Sequence, residues 1–400
     1  MNARRNPKDI KYFAKTNFRN TNEVFGIRDE DMQYHCAIIG KTGSGKTNVL
    51  KSFILNDLQN GRNFCLIDPH GDLLQFVHDN VPENRREDVV FLDIPNPNLK
   101  IGYNPIKKVS HEKRSLVVSS ILEILERLAG PSGWGHKLAH ILRHCLLAIC
   151  DYPKQLNFSH VLKLLRNKEF RRKVVRHIQN TEVKEFFALE FKDYNPKYDF
   201  VPIYSKLSFL AHPAIRRLLV ENEDSLSLRK VMDSKVLLVN LSKGAIGLDS
   251  AELLGSLIIS SLSSAGFSRI DTVEEERIPF TIYVDEASTF INTTSIASML
   301  EGLRKMKVRC CLAFQHLSQL DPHLKDSLFS NVGNIISFRT SASDAEYLMK
   351  EMFIDGNRLT PFSFGDFVRM ERFHVIVKMM IRGRPAKPFT AVTIDYRDYF

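Results

Sequence analysis

Short apolar runs recur along the chain, each closed by a glycine or a polar residue. They lie at 35–39, 64–68 and 89–93, and again at 236–241, 280–285, 308–314 and 334–338. Runs this short, apolar at consecutive positions and ending at residues such as Asp68, Asp93 and Asp285, fit buried strands of a parallel sheet. After the first run the period changes: Leu50, Phe53 and Ile54 recur at helical spacing over 48–55. From about 110 to 230 the strand signals stop, and 116–125, 136–150, 159–165, 168–178 and 203–220 read as helices. A further helix is predicted over 295–306, and 373–380 with 389–394 read as a closing pair of strands around a turn at 383–388. The pattern therefore predicts an α/β protein with a mostly parallel central sheet and an inserted all-helical domain. The expected boundaries are a polar arm or short edge element at 1–30, the first part of the core at 31–109, the insertion at 110–230 and the second part of the core at 231–400.

Composition narrows the class. With 44% hydrophobic and 26% charged residues over 400 positions, the chain is globular and long enough for a large core plus an insertion. The six cysteines sit mostly in apolar runs and form no C-x-x-C pair, so buried reduced thiols are expected rather than disulfides or zinc. The longest weakly polar stretch, 253–267, contains five serines and is shorter than the ~20 apolar residues a bilayer crossing needs. Residues 1–6 are basic but lead into no apolar core, which argues against a secretory signal. A cytoplasmic protein without a membrane span of its own is the expectation. Charge is uneven. Residues 105–230 hold 23 Lys+Arg against 13 Asp+Glu, while the remainder holds 33 of each, so the whole excess of +10 lies in the middle segment. Two readings stand for it: a surface facing a polyanion such as nucleic acid, or an ordinary solvated helical face.

Candidate chemistry begins at Gly40, Lys41, Thr42, Gly43, Ser44, Gly45, Lys46 and Thr47, a G-x-x-x-x-G-K-T pattern between a predicted strand and a helix that opens at Asn48, itself counted among the candidate nucleotide-binding residues. In that context glycines let backbone N–H groups converge on a phosphate, and the helix N-terminus adds partial positive charge. Lys46 is expected on the β- and γ-phosphates and the Thr47 hydroxyl on Mg²⁺. The run ending Tyr283, Val284, Asp285, Glu286 supplies two acids at a strand end. Asp285 suits holding Mg²⁺ and Glu286 suits polarising the attacking water. Gln315 follows the 308–314 strand, where an amide would come near the γ-phosphate. Together these residues imply a nucleoside triphosphate site. The N-K-x-D signature of guanine-specific enzymes is missing.

At this point the chain resembles the HerA/FtsK superfamily of DNA-pumping ATPases, particularly the soluble motor domains of conjugative type IV secretion coupling proteins. The resemblance rests on 40–47, on Leu66 to Leu73 with its Asp68-Pro69-His70-Gly71-Asp72 turn, on Asn104-Pro105, and on 241–244. It extends through 283–286, 303–305, 315–320 and 337–339, and so spans roughly 35–395. It implies a RecA-like P-loop core, ATP and Mg²⁺ as ligands, DNA as a partner, and self-assembly into a hexameric ring. By the same resemblance Arg304 stands where the family's arginine finger falls, reaching a neighbouring subunit's γ-phosphate, and Arg339 is a second candidate cation. The coupling proteins' membrane-spanning N-terminus and the β-barrel that precedes the motor in HerA are not found in this sequence. Three roles fit: a DNA translocase working with a secretion channel, an antiphage defence ATPase working with a nuclease or other effector, and an ATP-gated scaffold ring. Intact Glu286, Gln315 and Arg304 argue against the scaffold.

Four other features carry paired readings. His136, His140 and His144 recur at helical spacing, as a basic face or a metal site without its other ligands. The 68–72 turn is a nucleotide or coupling contact, or a plain strand end. Arg171, Arg172, Lys173 and Arg176 form a phosphate-contacting patch or a solvated face. Residues 242–247 are a channel-facing loop carrying Lys243, or an ordinary turn.

Overall fold

The computed structural model describes residues 9–17, 21–106, 109–130, 132–291, 294–352 and 362–398. Residues 1–8 and 18–20 of the expected N-terminal arm lie outside that set. Thirteen strands are present among the described residues: β1 (Ile10–Thr16), β2 (Val24–Arg28), β3 (Cys36–Ile39), β4 (Asn63–Asp68), β5 (Val89–Asp93), β6 (Val236–Asn240), β7 (Phe280–Val284), β8 (Val308–Phe314), β9 (Asn334–Ser337), β10 (His374–Lys378), β11 (Met380–Ile381), β12 (Arg384–Pro385) and β13 (Phe389–Thr393). Eleven of them form one sheet in the order β2-β1-β13-β10-β9-β3-β8-β7-β4-β6-β5, while β11 and β12 make a small hairpin.

The centre of the sheet is parallel. Ile39 faces Phe314 on one side and Ser337 on the other, Val284 faces Leu312 and Ile67, and Asp68 faces Asn240. Every residue of β3, β4, β7, β8 and β9 is buried, as strands covered on both faces require. From β10 outward the sheet is antiparallel.

The chain divides into two compact units. The first comprises 1–91, 228–242 and 265–400, and the second 92–227 with 243–264. The second unit is thus wider than the helical stretch read from 110–230. In the first unit, helix α1 (Lys46–Gln59) buries Val49, Leu50, Phe53, Ile54 and Leu58, and α2 (Asp72–Asp79) buries Leu73, Leu74 and Val77. Residues 10–16 and 24–28, read as an arm or edge element, are full strands. Phe13 of β1 packs edge-on against Phe25 and Phe53, at 5.3 and 5.5 Å between ring centres. Lys11, also turned inward, pairs with the buried Asp57 of α1, whose other carboxylate oxygen accepts the Tyr283 hydroxyl at 2.6 Å.

The second unit carries α3 (His111–Ala129), α4 (His136–Asp151), α5 (Phe158–Arg166) and α6 (Lys168–Val175). The helix expected over 203–220 is broken into Val201–Lys206, Ser208–Ala211, Pro213–Arg216 and Arg217–Glu221. Pro213 has no N–H to continue a preceding helix and opens a new one instead. The histidines of α4 grade from exposed His136 through half-exposed His140 to buried His144. His144 is buried and stacked on Phe186 at 4.2 Å, and His140 meets the Glu190 carboxylate at 3.0 Å. Among the described residues no cluster of His, Cys, Asp and Glu is disposed to hold a metal, and all six cysteines are buried and free. The apolar helix is longer than the 253–267 stretch. It runs Leu248–Phe267, and with the turn that continues it to Asp271 it is by length and composition alone sufficient to cross a membrane, but 61% of its apolar window is buried within the protein, as in a core helix.

Candidate functional site

In a parallel sheet, everything that follows a strand's last residue emerges at one edge. The register given above therefore brings Gly40 after β3, Gln315 after β8, Asp285 after β7, the 68–72 turn after β4 and Arg339 after β9 to a common edge. Backbone bonds tie these ends together: Gly40 N–H donates to the Phe314 carbonyl, Lys41 N–H to that of Arg339, and Asp285 N–H to that of Ile67.

The loop from Gly40 to Thr47 has the conformation its glycines allow. Gly43 and Gly45 have φ of +73° and +125°, and a Cβ on Gly45 would lie 2.9 Å from both the Phe338 and Phe373 rings. Lys46 Nζ donates to the Gly40 and Lys41 carbonyls at 2.6 and 3.2 Å, and burial lowers its pKa from the ordinary lysine value. The N–H groups of Gly43, Gly45, Lys46 and Thr47 have no carbonyl partner among the described residues. Two of them belong to the first turn of α1, where helix geometry leaves donors open. An ammonium resting on weak carbonyl acceptors beside a ring of open donors fits a phosphate chain. Thr47 is exposed, its hydroxyl committed to no partner among the described residues, and it fits a cation ligand. Asn48 is engaged elsewhere, donating from its amide to the Ile394 carbonyl at 2.5 Å.

The pKa of Asp285 is raised to about 6 by burial and by the neighbouring Asp68 carboxylate, partly offset by Lys46. A divalent cation beside it would favour the charged form. Glu286 adopts a left-handed conformation, φ +53°, with its N–H on the Asp285 carboxylate at 3.1 Å. The two acids therefore point in different directions, and Glu286 Oε2 meets His70 Nε2 at 2.8 Å. Asp68 is fully buried and structural: its carboxylate accepts the His70 and Leu74 N–H groups at 2.8 and 3.0 Å.

The Gln315 side-chain amide donates to the Thr42 hydroxyl, so the glutamine touches the phosphate loop directly. Arg339 is exposed at the same edge. Arg304 is not at that edge. Also exposed, it lies in the last turn of the helix Thr294–Lys305 just before β8, and its guanidinium lies 3.7 Å from the centre of the Tyr34 ring, which precedes β3. That is the opposite edge of the sheet, and six residue steps of β8 at ~3.3 Å put about 20 Å between the edges. Within one chain the structure therefore assembles the loop, the acid pair, Gln315 and Arg339, and leaves Arg304 apart. The His70–Glu286 pairing and the packing of Phe338 and Phe373 on the loop glycines are further parts of the site. The turn bearing His70 stands out in the sequence, but nothing there shows which strand end it faces.

A family model described as the central domain of helicase HerA matches residues 23–129. The type 4 coupling protein DotL of Legionella pneumophila subsp. pneumophila is 31% identical over 128 residues, which are 30% of this chain and only 16% of that protein's length. Among solved structures, the bacterial conjugative coupling protein TrwBdeltaN70 superposes with a TM-score of 0.67 at 14% identity, covering 93% of this chain and 87% of that one. TrwB in complex with ADP and Mg²⁺ gives 0.68 at 14% identity, with 93% and 87% covered. VirB4 of Thermoanaerobacter pseudethanolicus gives 0.62 at 13% identity, with 96% and 95% covered. The sheet order, the phosphate loop and the acid pair define the class: a P-loop NTPase with a RecA-like core. Over residues 23–129 the chain is similar to the HerA central domain, and its fold is that of the coupling-protein structures.

Proposed function

We propose that this chain is an Mg²⁺-dependent ATPase that assembles into a ring and moves DNA through its centre. The observation that carries the reading is the convergence of Lys46, Asp285, Glu286 and Gln315 on one sheet edge while Arg304 lies on the other. ATP and Mg²⁺ as ligands are supported by the loop's open donors and by the TrwB structures described with ADP and Mg²⁺ or an ATP analogue. Lys46 and the loop N–H groups bind the phosphates, Gln315 orients the γ-phosphate end, and Glu286 accepts the proton of the attacking water. Mg²⁺, held through Thr47 and Asp285, would neutralise charge on the β- and γ-phosphates. Arg304, out of reach of its own site, would serve a neighbour's in a closed ring, a hexamer by the family resemblance. Arg339 is the nearer candidate cation within the same chain.

DNA as the cargo is supported by charge. In the second unit Arg166, Lys168, Arg172, Arg176 and Lys192 line a cavity of about 770 Å³ whose wall includes no carboxylate. Arg171 lines the same cavity, but its guanidinium is already engaged, donating to the Leu164 and Leu165 carbonyls near the end of α5 and covering the Phe191 ring. DotL and TrwB are described as coupling proteins, so a secretion channel is the partner class this reading favours, with the ring at its cytoplasmic side. Two variants test the chemistry. Lys46→Ala is expected to abolish ATP binding. Glu286→Gln is expected to bind ATP normally and hydrolyse it at least a hundredfold more slowly. Near wild-type turnover by Glu286→Gln would remove it as the base.

A further inference from the structure

We infer that His70 is the positioning residue for the Glu286 carboxylate, which rests on the proposal that Glu286 is the general base. The contact is short, 2.8 Å from Nε2 to Oε2, and a carboxylate has no proton to give. The hydrogen is therefore on His70 Nε2, and the imidazole donates. A glutamate side chain has three rotatable bonds, and a base that samples several rotamers is misplaced for most of its time. Anchoring one oxygen fixes the plane of the carboxylate against the water it must meet.

What makes His70 more than a chance neighbour is how its turn is held. Asp68, fully buried at the end of β4, accepts the His70 N–H and the Leu74 N–H, clasping the turn to the start of α2. Gly71 takes φ +93° where a Cβ would meet the Asn240 side-chain oxygen at 3.3 Å, so the turn is seated against the end of β6. From the same strand end, Leu241 N–H donates to the Asp68 carbonyl at 3.0 Å and the Ser242 hydroxyl to the His70 carbonyl at 3.3 Å. On the other side, Glu286 is set by its left-handed backbone and by its N–H on Asp285. Two rigid strand ends thus present donor and acceptor to each other, across 216 positions of sequence. A solvated histidine on an ordinary strand-ending turn needs none of these constraints.

The test is steady-state ATP hydrolysis by the full chain, with KM, ATP-analogue binding and Tm measured beside kcat. The His70 side chain is 57% exposed, so its replacement leaves the core intact. His70→Ala is expected to lower kcat about tenfold with KM, analogue binding and Tm near wild type. His70→Gln, which keeps a donor at that reach, is expected to restore most of the loss. In a Glu286→Gln background, His70→Ala is expected to add nothing, because there is no base left to position. Unchanged or raised kcat in His70→Ala would overturn the inference. So would a loss that tracks Tm or nucleotide binding and is not rescued by glutamine, since that is what a merely structural clasp gives. The separate arm, Glu286→Gln alone, reports on the base itself: wild-type turnover there sinks that reading, whatever the His70 variants do.

Discussion

Gly45 concentrates the demands on the phosphate loop. Its φ of +125° is closed to side-chain-bearing residues, and two aromatic rings stand within 2.9 Å of where a Cβ would be. Gly45→Ala is therefore expected to cost about 1–3 kcal/mol and to lose ATP binding as the loop opens. Calorimetric unfolding with analogue titration checks both parts, and unchanged binding would show that the loop tolerates the displacement. His35 makes a second prediction. Its Nδ1 accepts the Cys310 N–H and its Nε2–H donates to the Leu300 carbonyl, each at 3.0 Å, so the buried ring is fixed as the neutral tautomer. Burial lowers its pKa from 6.5 to about 4. The sign follows from linkage. Above pH 6.5 the ring is neutral in both states and its contribution is complete. As pH falls from 6.5 towards 4, the unfolded chain takes up a proton that the folded one refuses, and stability declines by a total on the order of 3 kcal/mol. His35→Asn is expected to remove about one proton's worth of slope from stability against pH in that window; an unchanged slope would contradict the assignment. Both residues are in plain view in the sequence, but only the G-K-T pattern announces its role. The burial of His35 depends on partners 265 and 275 positions away.

At the scale of elements, legibility followed burial. The central strands are mostly apolar because both faces are covered, so their runs show without knowledge of their neighbours, even though Arg309 and Asn334 are buried among them. Strand β1 does not, because Lys11 occupies an inward position that alternation reserves for an apolar side chain. Its partner Asp57 is on α1, and no local pattern reveals that pairing. The helix expected over 203–220 failed for a local reason, Pro213, whose effect on a preceding helix is readable from chemistry alone. The buried pair makes a prediction of its own. Burial lowers the Lys11 pKa to about 8 against the raising effect of Asp57. Lys11→Ala takes from the buried Asp57 carboxylate its fully buried partner, leaving Arg62 at 3.4 Å and the Tyr283 hydroxyl, and is expected to cost about 3 kcal/mol, loosening β1 from α1. Denaturant unfolding measures it. A cost below about 1 kcal/mol would mean that the carboxylate is protonated or reaches water when the lysine is gone.

For the whole molecule, the net charge of +10 and the basic cavity of the second unit predict that the proposed DNA binding is sequence-independent and salt-sensitive. Charge reversal at Arg172 and Arg176, both exposed, is expected to weaken affinity and to lower the slope of log affinity against log salt by about one for each phosphate left without its cation. Unchanged affinity and slope would take this cavity off the DNA path. The central claim is that the catalytic site is completed by a neighbouring copy. It meets its most direct test in ATP hydrolysis by two inactive variants, Lys46→Ala and Arg304→Ala, assayed alone and mixed over a range of protein concentration. A finger removed from a working ring costs about 10³-fold or more in turnover, whereas a solvated arginine costs almost nothing. The expected result is that each variant is inactive alone. The mixture recovers part of the wild-type rate, and wild-type specific activity rises with concentration as rings assemble. Wild-type turnover by Arg304→Ala alone, with specific activity independent of concentration, would contradict the account.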